Sequence, residues 1–176
     1  MKYNLLAMFF ILKFSAYFMQ VRYILLNTFL LFFFLNSIAQ GKNELLISYK
    51  NSNDLAIKSK LFKKLTDHYT KPYSEEKETL LLNDQKQLYE LKQVNQAAVL
   101  KTINALLQGT KGLFEKSNMI CDELLTNNLK DLDALLICKI YLLQGNNATK
   151  TIKMSLASEK YTAAKELAIL SKNKED

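Results

Sequence analysis

The sequence predicts an all-α domain of antiparallel helical hairpins behind an N-terminal export signal, and three observations carry that prediction. The whole chain holds one Pro and four Gly, and beyond residue 40 it has few β-branched runs and many Leu, Lys, Glu, Ala and Gln, which are strong helix formers. In the same region apolar residues recur at spacings of three and four, the period of one helix face. Before residue 40 the pattern changes to apolar runs interrupted by single basic residues.

Residues 19–39, MQVRYILLNTFLLFFFLNSIA, have the three parts of an export signal: a basic start at Arg22, an apolar run from Tyr23 to Leu35, and a small-residue exit. Ser37 and Ala39 stand third and first before a cut, so cleavage between Ala39 and Gln40 is expected, with delivery to the periplasm or the cell exterior. The alternative is a membrane-anchored envelope component that keeps this segment as an uncleaved helix. Crossing the hydrocarbon takes about 20 mostly apolar residues, and the run falls short of that. Residues 1–18 form another apolar run, read either as an upstream extension before a true start at Met19 or as one arm of a membrane hairpin. Lys13 and Arg22 keep each half short, and residues 19–22 offer neither Gly nor Pro for a turn, which favours the Met19 start.

Removing the leader changes the composition. Residues 1–39 contain eight of the ten Phe, three of the 24 basic residues and none of the 17 acidic ones, so the formal charge falls from +7 to +4. Every basic residue after Arg22 is lysine. Arginine supplies the planar fork that reads phosphate and guanine edges, and the lysines alternate with acids along the chain, as on a solvated helix face. Nucleic acid is therefore excluded as a partner, and the membrane is met only through the N-terminal segment. The expected partner is an unidentified protein.

In chain order, residues 40–52 read as a loose polar lead-in whose Glu44-Leu45-Leu46-Ile47 can dock on a core, and residues 53–172 as a single helical domain. Asn53 is expected to cap a first helix, with Asp54 against the positive end of its dipole. Its stripe is Leu55, Ser59, Phe62, Thr66 and Tyr69, widened by Leu61 and Leu65, and Lys71-Pro72 ends it. Ser74 caps the next helix, with Glu75 and Glu76 in its first turn. The apolar line Leu88, Leu91, Val94 and Ala98 then shifts to Val99, Ile103 and Leu106, which predicts a bend or break near Asn95-Gln96. Gly109 and Gly112 bracket a turn. A fourth segment carries Phe114, Ser117, Cys121 and Leu124 on one face and ends at Asn127-Asn128. Asp131 is expected to cap a fifth with Ala134, Ile137, Cys138 and Tyr141 inward, stopped at Gln144-Gly145-Asn146 by a left-handed glycine. The last helix, Ala148 to Ser171, is expected to bury Met154, Ala157, Tyr161, Ala164 and Leu167 or Ala168. Residues 173–176 are a solvated tail.

The stretch Phe114 to Ser117, Cys121 to Leu125, Asn127-Asn128, Asp133 to Leu136 and Tyr141 to Asn146 resembles a tetratricopeptide-like unit over residues 112–146. Phe114, Ser117, Cys121, Ala134, Cys138, Tyr141 and Gly145 fall on that family's packing positions. The usual turn proline is missing, and the next aromatic–small pair, Tyr161 and Ala164, comes later than the family's roughly 34-residue period. The resemblance implies helical hairpins and no activity. A second resemblance joins Phe62–Tyr69 to Glu78-Thr79-Leu80-Leu81-Leu82-Asn83-Asp84 and Leu88-Tyr89. It is to an uncharacterised family of small exported bacterial proteins, with Glu90-Leu91 standing where that family has Tyr-Gly.

Candidate chemistry is sparse, and no catalytic, cofactor-binding or metal-ligating residue is nominated. Cys121 and Cys138 lie symmetrically about Leu129-Lys130. They are read as a structural disulfide if their Cα atoms approach within about 7 Å, or as two small thiols that fit a tight helix contact. His68 stands alone beside Asp67 and Tyr69, without a nucleophile at motif spacing. The carboxylates form no metal motif, and Gly109 and Gly112 lack the Lys-Ser/Thr of a phosphate loop. Asn147-Ala148-Thr149 matches a glycosylation acceptor, and Leu80-Leu81-Leu82 is read as core in preference to an exposed patch. The expected function is that of a non-enzymatic protein-binding or scaffolding module. Intact-mass measurement on the natural protein checks the leader: a chain beginning at Gln40 is expected, and a chain still carrying residues 1–39 counts against cleavage.

Overall fold

A computed structural model describes residues 41–127 and 129–172. The expectations placed on residues 1–39, on the Ala39–Gln40 junction and on the tail 173–176 lie outside the described residues. Among the described residues the chain is helical, with no strand, and no helix is long and apolar enough to cross a membrane. Contacts separate residues 1–44 from a unit that begins at Leu45, and that second unit is described by itself.

The helices are α1 (residues 41–51), α2 (Leu55–Thr70), α3 (Glu75–Glu90), α4 (Val94–Thr110), α5 (Phe114–Asn127), α6 (Ala134–Lys150) and α7 (Met154–Lys172). From α2 onward each packs on the next in sequence, and α2, α4 and α6 also pack on one another. This places α4 at the centre. Twelve of its 17 residues are buried, on every side, as for a helix that neighbours enclose. The core joins Leu100, Ile103 and Leu107 of α4 to Phe62, Leu65 and Tyr69 of α2, Leu81 of α3, Cys121 and Leu124 of α5, and Leu136 and Ile140 of α6.

Residues 40–52, expected to be loose, are helical from 41 to 51. Leu46 and Tyr49 lie one turn apart, each is only 3% exposed, and packing of that face holds a helix that polar composition alone would not. Asp54, not Asn53, caps α2, its carboxylate accepting from the amides of Ala56 at 2.7 Å and Ile57 at 3.1 Å. Ser74 caps α3 as expected, accepting from the Lys77 amide at 3.2 Å. The tract predicted to bend near Asn95-Gln96 is two separate helices, broken at Leu91–Gln93. Lys92 takes a left-handed conformation, φ 57°, and the amides of Lys92 and Gln93 donate back to the carbonyls of Tyr89 and Leu88, closing the helix end.

The same closure recurs twice. At Gly112, φ 79°, the amides of Gly112 and Leu113 reach Gly109 and Gln108; at Ile152, φ 59°, those of Ile152 and Lys153 reach Thr149 and Ala148. Helix α6 therefore does not stop at Gln144–Asn146 but runs to Lys150, and α7 starts at Met154, not at Ala148. Gly145 is not a stop: it sits inside α6, where an added Cβ would lie 2.6 Å from Cε1 of Tyr161. Its missing side chain admits the ring, whose hydroxyl donates to Oδ1 of Asn146 at 2.8 Å. On α7, Ala157 and Ala164 are buried, whereas Met154 is 58% and Tyr161 36% exposed. Small residues of α7 face α6 because the two helices pack closely, and Tyr161 lies along the contact, its ring against Gly145 and its edge left to solvent.

Asp133 caps α6 in place of Asp131, because the chain first makes a 3₁₀ turn at Leu129–Asp131. Its Oδ1 accepts from the Leu136 amide at 2.9 Å and the Tyr49 hydroxyl at 3.2 Å, and its Oδ2 from the Lys58 ammonium at 2.8 Å. Leu136 and Ile140 are the deeply buried residues of α6, while Ala134, Ile137, Cys138 and Tyr141 are half-buried.

Because a β-branched side chain is strained at positive φ and Ile152 is 81% exposed, Ile152→Gly is expected to stabilise the fold by about 0.5–1 kcal/mol. Gly112→Ala is expected to destabilise it by about 1 kcal/mol. Urea unfolding monitored by circular dichroism measures both, and opposite signs are required.

Candidate functional site

The face of α2 that flanks its buried stripe presents Ala56, Ser59, Lys60, Lys63, Thr66, Asp67 and Thr70 at spacings of three and four, as the helix period requires. This face forms one wall of a groove of about 1060 Å³, open to solvent. Leu106, Leu107 and Thr110 at the C-terminal end of α4 supply more of the lining, together with Lys139 of α6, and Lys71, Tyr73 and Lys111 at the ends. The lining is apolar between its charges: alanine, leucine, Phe62, threonine methyls and lysine stems. The cations at the rim are Lys60, Lys63, Lys71, Lys111 and Lys139, against the single carboxylate of Asp67 among the lining residues.

These lysines are not equivalent. Lys71 pairs with Asp67 at 2.9 Å on an exposed surface, a contact worth little in water. The Lys139 ammonium stands 5.9 Å from the centre of the Phe62 ring, within cation–π range. Lys111 pairs with Oε2 of Glu78 at 2.8 Å and lies 5.4 Å from the Tyr73 ring centre. Glu78 also accepts from Nε2 of Gln108 at 2.9 Å and the Tyr73 hydroxyl at 3.0 Å. These donors, Lys111 first and then Gln108, hold its carboxyl well below the usual range, at about 2, while Glu78 pushes the Lys111 ammonium upward. Lys60 and Lys63 have no carboxylate partner among the described residues.

No family model, curated protein or solved structure matches this chain.

The sequence-nominated residues lie elsewhere. Cys121 and Cys138 are free thiols, not a disulfide. Cys121 belongs to the core, where burial and then Asp122 push its thiol up to about 12. Cys138 faces α7 instead, its Sγ 3.5 Å from the carbonyl oxygen of Ala164, and burial raises its thiol as well. The two cannot meet while α6 turns Cys138 toward α7. His68 stacks edge-on against Tyr69, ring centres 4.9 Å apart, and does not line the groove. Of the leucine triplet, Leu81 is core and Leu80 and Leu82 are 40% and 45% exposed. Asn147 is 2% exposed, its amide donating to Oγ of Ser117 at 2.9 Å and Oδ1 of Asn118 at 2.8 Å, so the folded chain hides the glycosylation sequon. Among the described residues no cluster of three or more His, Cys, Asp or Glu could hold a metal ion.

Sequence reasoning missed the groove because its cations come from α2, the α4–α5 turn and α6, which are far apart along the chain. Only one local part was legible: the lysines of α2, Lys60 and Lys63 among them, read as a solvated face, whereas Ser59 and Thr66, which the predicted stripe claimed for the core, are half-buried and line the groove.

The Glu78 carboxyl has a folded-state value near 2, against 4.5 when unperturbed. Its ionised form therefore favours the fold above pH 4.5, and that contribution is lost as pH falls from 4.5 toward 2. Urea midpoints measured across this range are expected to fall less steeply in Glu78→Gln than in the wild type, with the variant the less stable of the two at neutral pH.

Proposed function

We propose that this chain is an exported, non-enzymatic protein-binding module and that the groove along α2 seats a segment of its partner. The observation that carries the reading is the pairing of an open apolar trough with a rim of lysines. Protein segments dock in such grooves by laying an apolar face on the floor while charges meet at the edge. Drug-sized ligands favour closed pockets of about 300–1,000 Å³ that bury most of their surface; a trough of about 1060 Å³ open to solvent suits a polypeptide better. Both thiols are held in the protonated, poorly nucleophilic state at neutral pH, which supports binding over covalent catalysis. Export rests on residues 19–39. The apolar run Tyr23–Leu35 also supports a second reading, in which the module stays anchored in the envelope.

The test is affinity purification from the native envelope fraction with the wild type and with Ala56→Trp, which fills the groove from an exposed position. One identified protein is expected to be recovered by the wild type and reduced about tenfold or more by the variant, a loss of some 1.4 kcal/mol, with circular dichroism unchanged. Equal recovery overturns the groove as the docking site. Release of the wild type without detergent excludes the anchored form.

A further inference from the structure

The groove has a direction as well as a charge. Its α2 wall runs from Ala56 to Thr70, about 21 Å at about 1.5 Å per residue, which is the length of a four-turn helix laid alongside. The far wall, Leu106 and Thr110, is spaced by one turn of α4 and gives such a helix an apolar seat. At the rim, Lys71 and Lys111 already pair with Asp67 and Glu78. Among the described residues the rim lysines without a carboxylate partner are Lys60 and Lys63, one turn apart on the same wall, and Lys139 of α6, which lies over the Phe62 ring. The ammonium groups of Lys60 and Lys63 match two carboxylates one turn apart on a neighbouring helix.

We propose that the occupant of the groove is an acidic amphipathic helix of about four turns, seated along α2 with its apolar face on Leu106 and its carboxylates against Lys60 and Lys63. This deepens the protein-binding reading above and rests on it. The charge complementarity commits the site to an acidic segment and excludes a basic one of equal hydrophobicity.

The experiment is fluorescence anisotropy with the full chain and two labelled synthetic helices that share one leucine stripe, one carrying Glu and the other Lys on the polar face. The Glu helix is expected to bind, to weaken about tenfold or more on raising the salt, and to weaken about tenfold in Lys60→Glu/Lys63→Glu. Lys64→Glu, an exposed lysine outside the groove, is the matched control and is expected to leave binding unchanged. Equal binding of the Lys helix, or no effect of the double variant with circular dichroism intact, overturns the proposal. Sedimentation with anionic phospholipid vesicles that the Glu helix fails to displace also overturns it, in favour of a lipid surface. If the Glu helix does not bind but Ala56→Trp still loses the native partner, the acidic-helix inference fails and the protein-binding reading stands. If Ala56→Trp keeps the native partner, the groove reading itself has failed.

Discussion

Everything in the helical unit is arranged around α4, which has almost no face left for water. Leu100 and Ile103 are wholly buried on it, and each contributes about 1.5–3 kcal/mol by leaving solvent. Enclosure on all sides also traps polar groups, which must find partners. Thr102 donates back to the Ala98 carbonyl, Gln108 donates to Asn104 and to Glu78, and Lys101 reaches the carboxylate of Glu123 on α5. The first two of the four contacts lie within α4, whereas those to Glu78 and Glu123 tie α3 and α5 to it by specific polar pairs as well as by apolar area.

The site follows from that arrangement. Helices α2 and α6 both lean on α4, and where α4 ends at Thr110 its neighbours leave its last turn accessible between them. The trough is the space beside the end of a central helix. Close approach on the other side of α4 has a different cause. A Cβ at Gly109 would stand 3.0 Å from Oδ1 of Asn147 and 3.3 Å from Oγ of Ser117, so the absent side chain lets α5 and α6 converge there. Ser117 fills the remaining gap by donating to the Ala105 carbonyl at 2.8 Å.

Helix type and the buried stripes of α2 and α5 were legible in the sequence because local signals agreed with tertiary packing. The Ser74 cap, the Lys71-Pro72 stop and the Phe62–Leu65–Tyr69 face all point the same way. Boundaries failed where a residue acted against its type. Lys92 and Ile152 end helices from the left-handed region without a glycine, whereas Gly145, the residue that looked like a stop, serves contact with Tyr161. Residues 41–51 failed for the opposite reason: two buried side chains outweigh a polar majority, and although Glu44–Ile47 hinted at docking, the burial of Tyr49 that completes the face had no local signal. The groove was illegible because it depends on which helices become neighbours, and lysine spacing along the chain carries no such information.

Asp133 gives the groove a property beyond its shape. One carboxylate caps α6, accepts the Tyr49 hydroxyl of α1 and pairs with Lys58 of α2, whose side chain is only 13% exposed. Lys58 lies on the same helix as the lysine wall, and Lys139 stands on the helix that Asp133 begins. Helices α2 and α6, which both line the trough, are therefore tied together through a single anchored side chain. A preorganised surface of this kind spends little free energy on ordering itself, so a short segment can be held by few contacts. If the groove seats a helix as proposed, recognition would be limited by how readily that segment becomes helical, and the cost of ordering would fall on it.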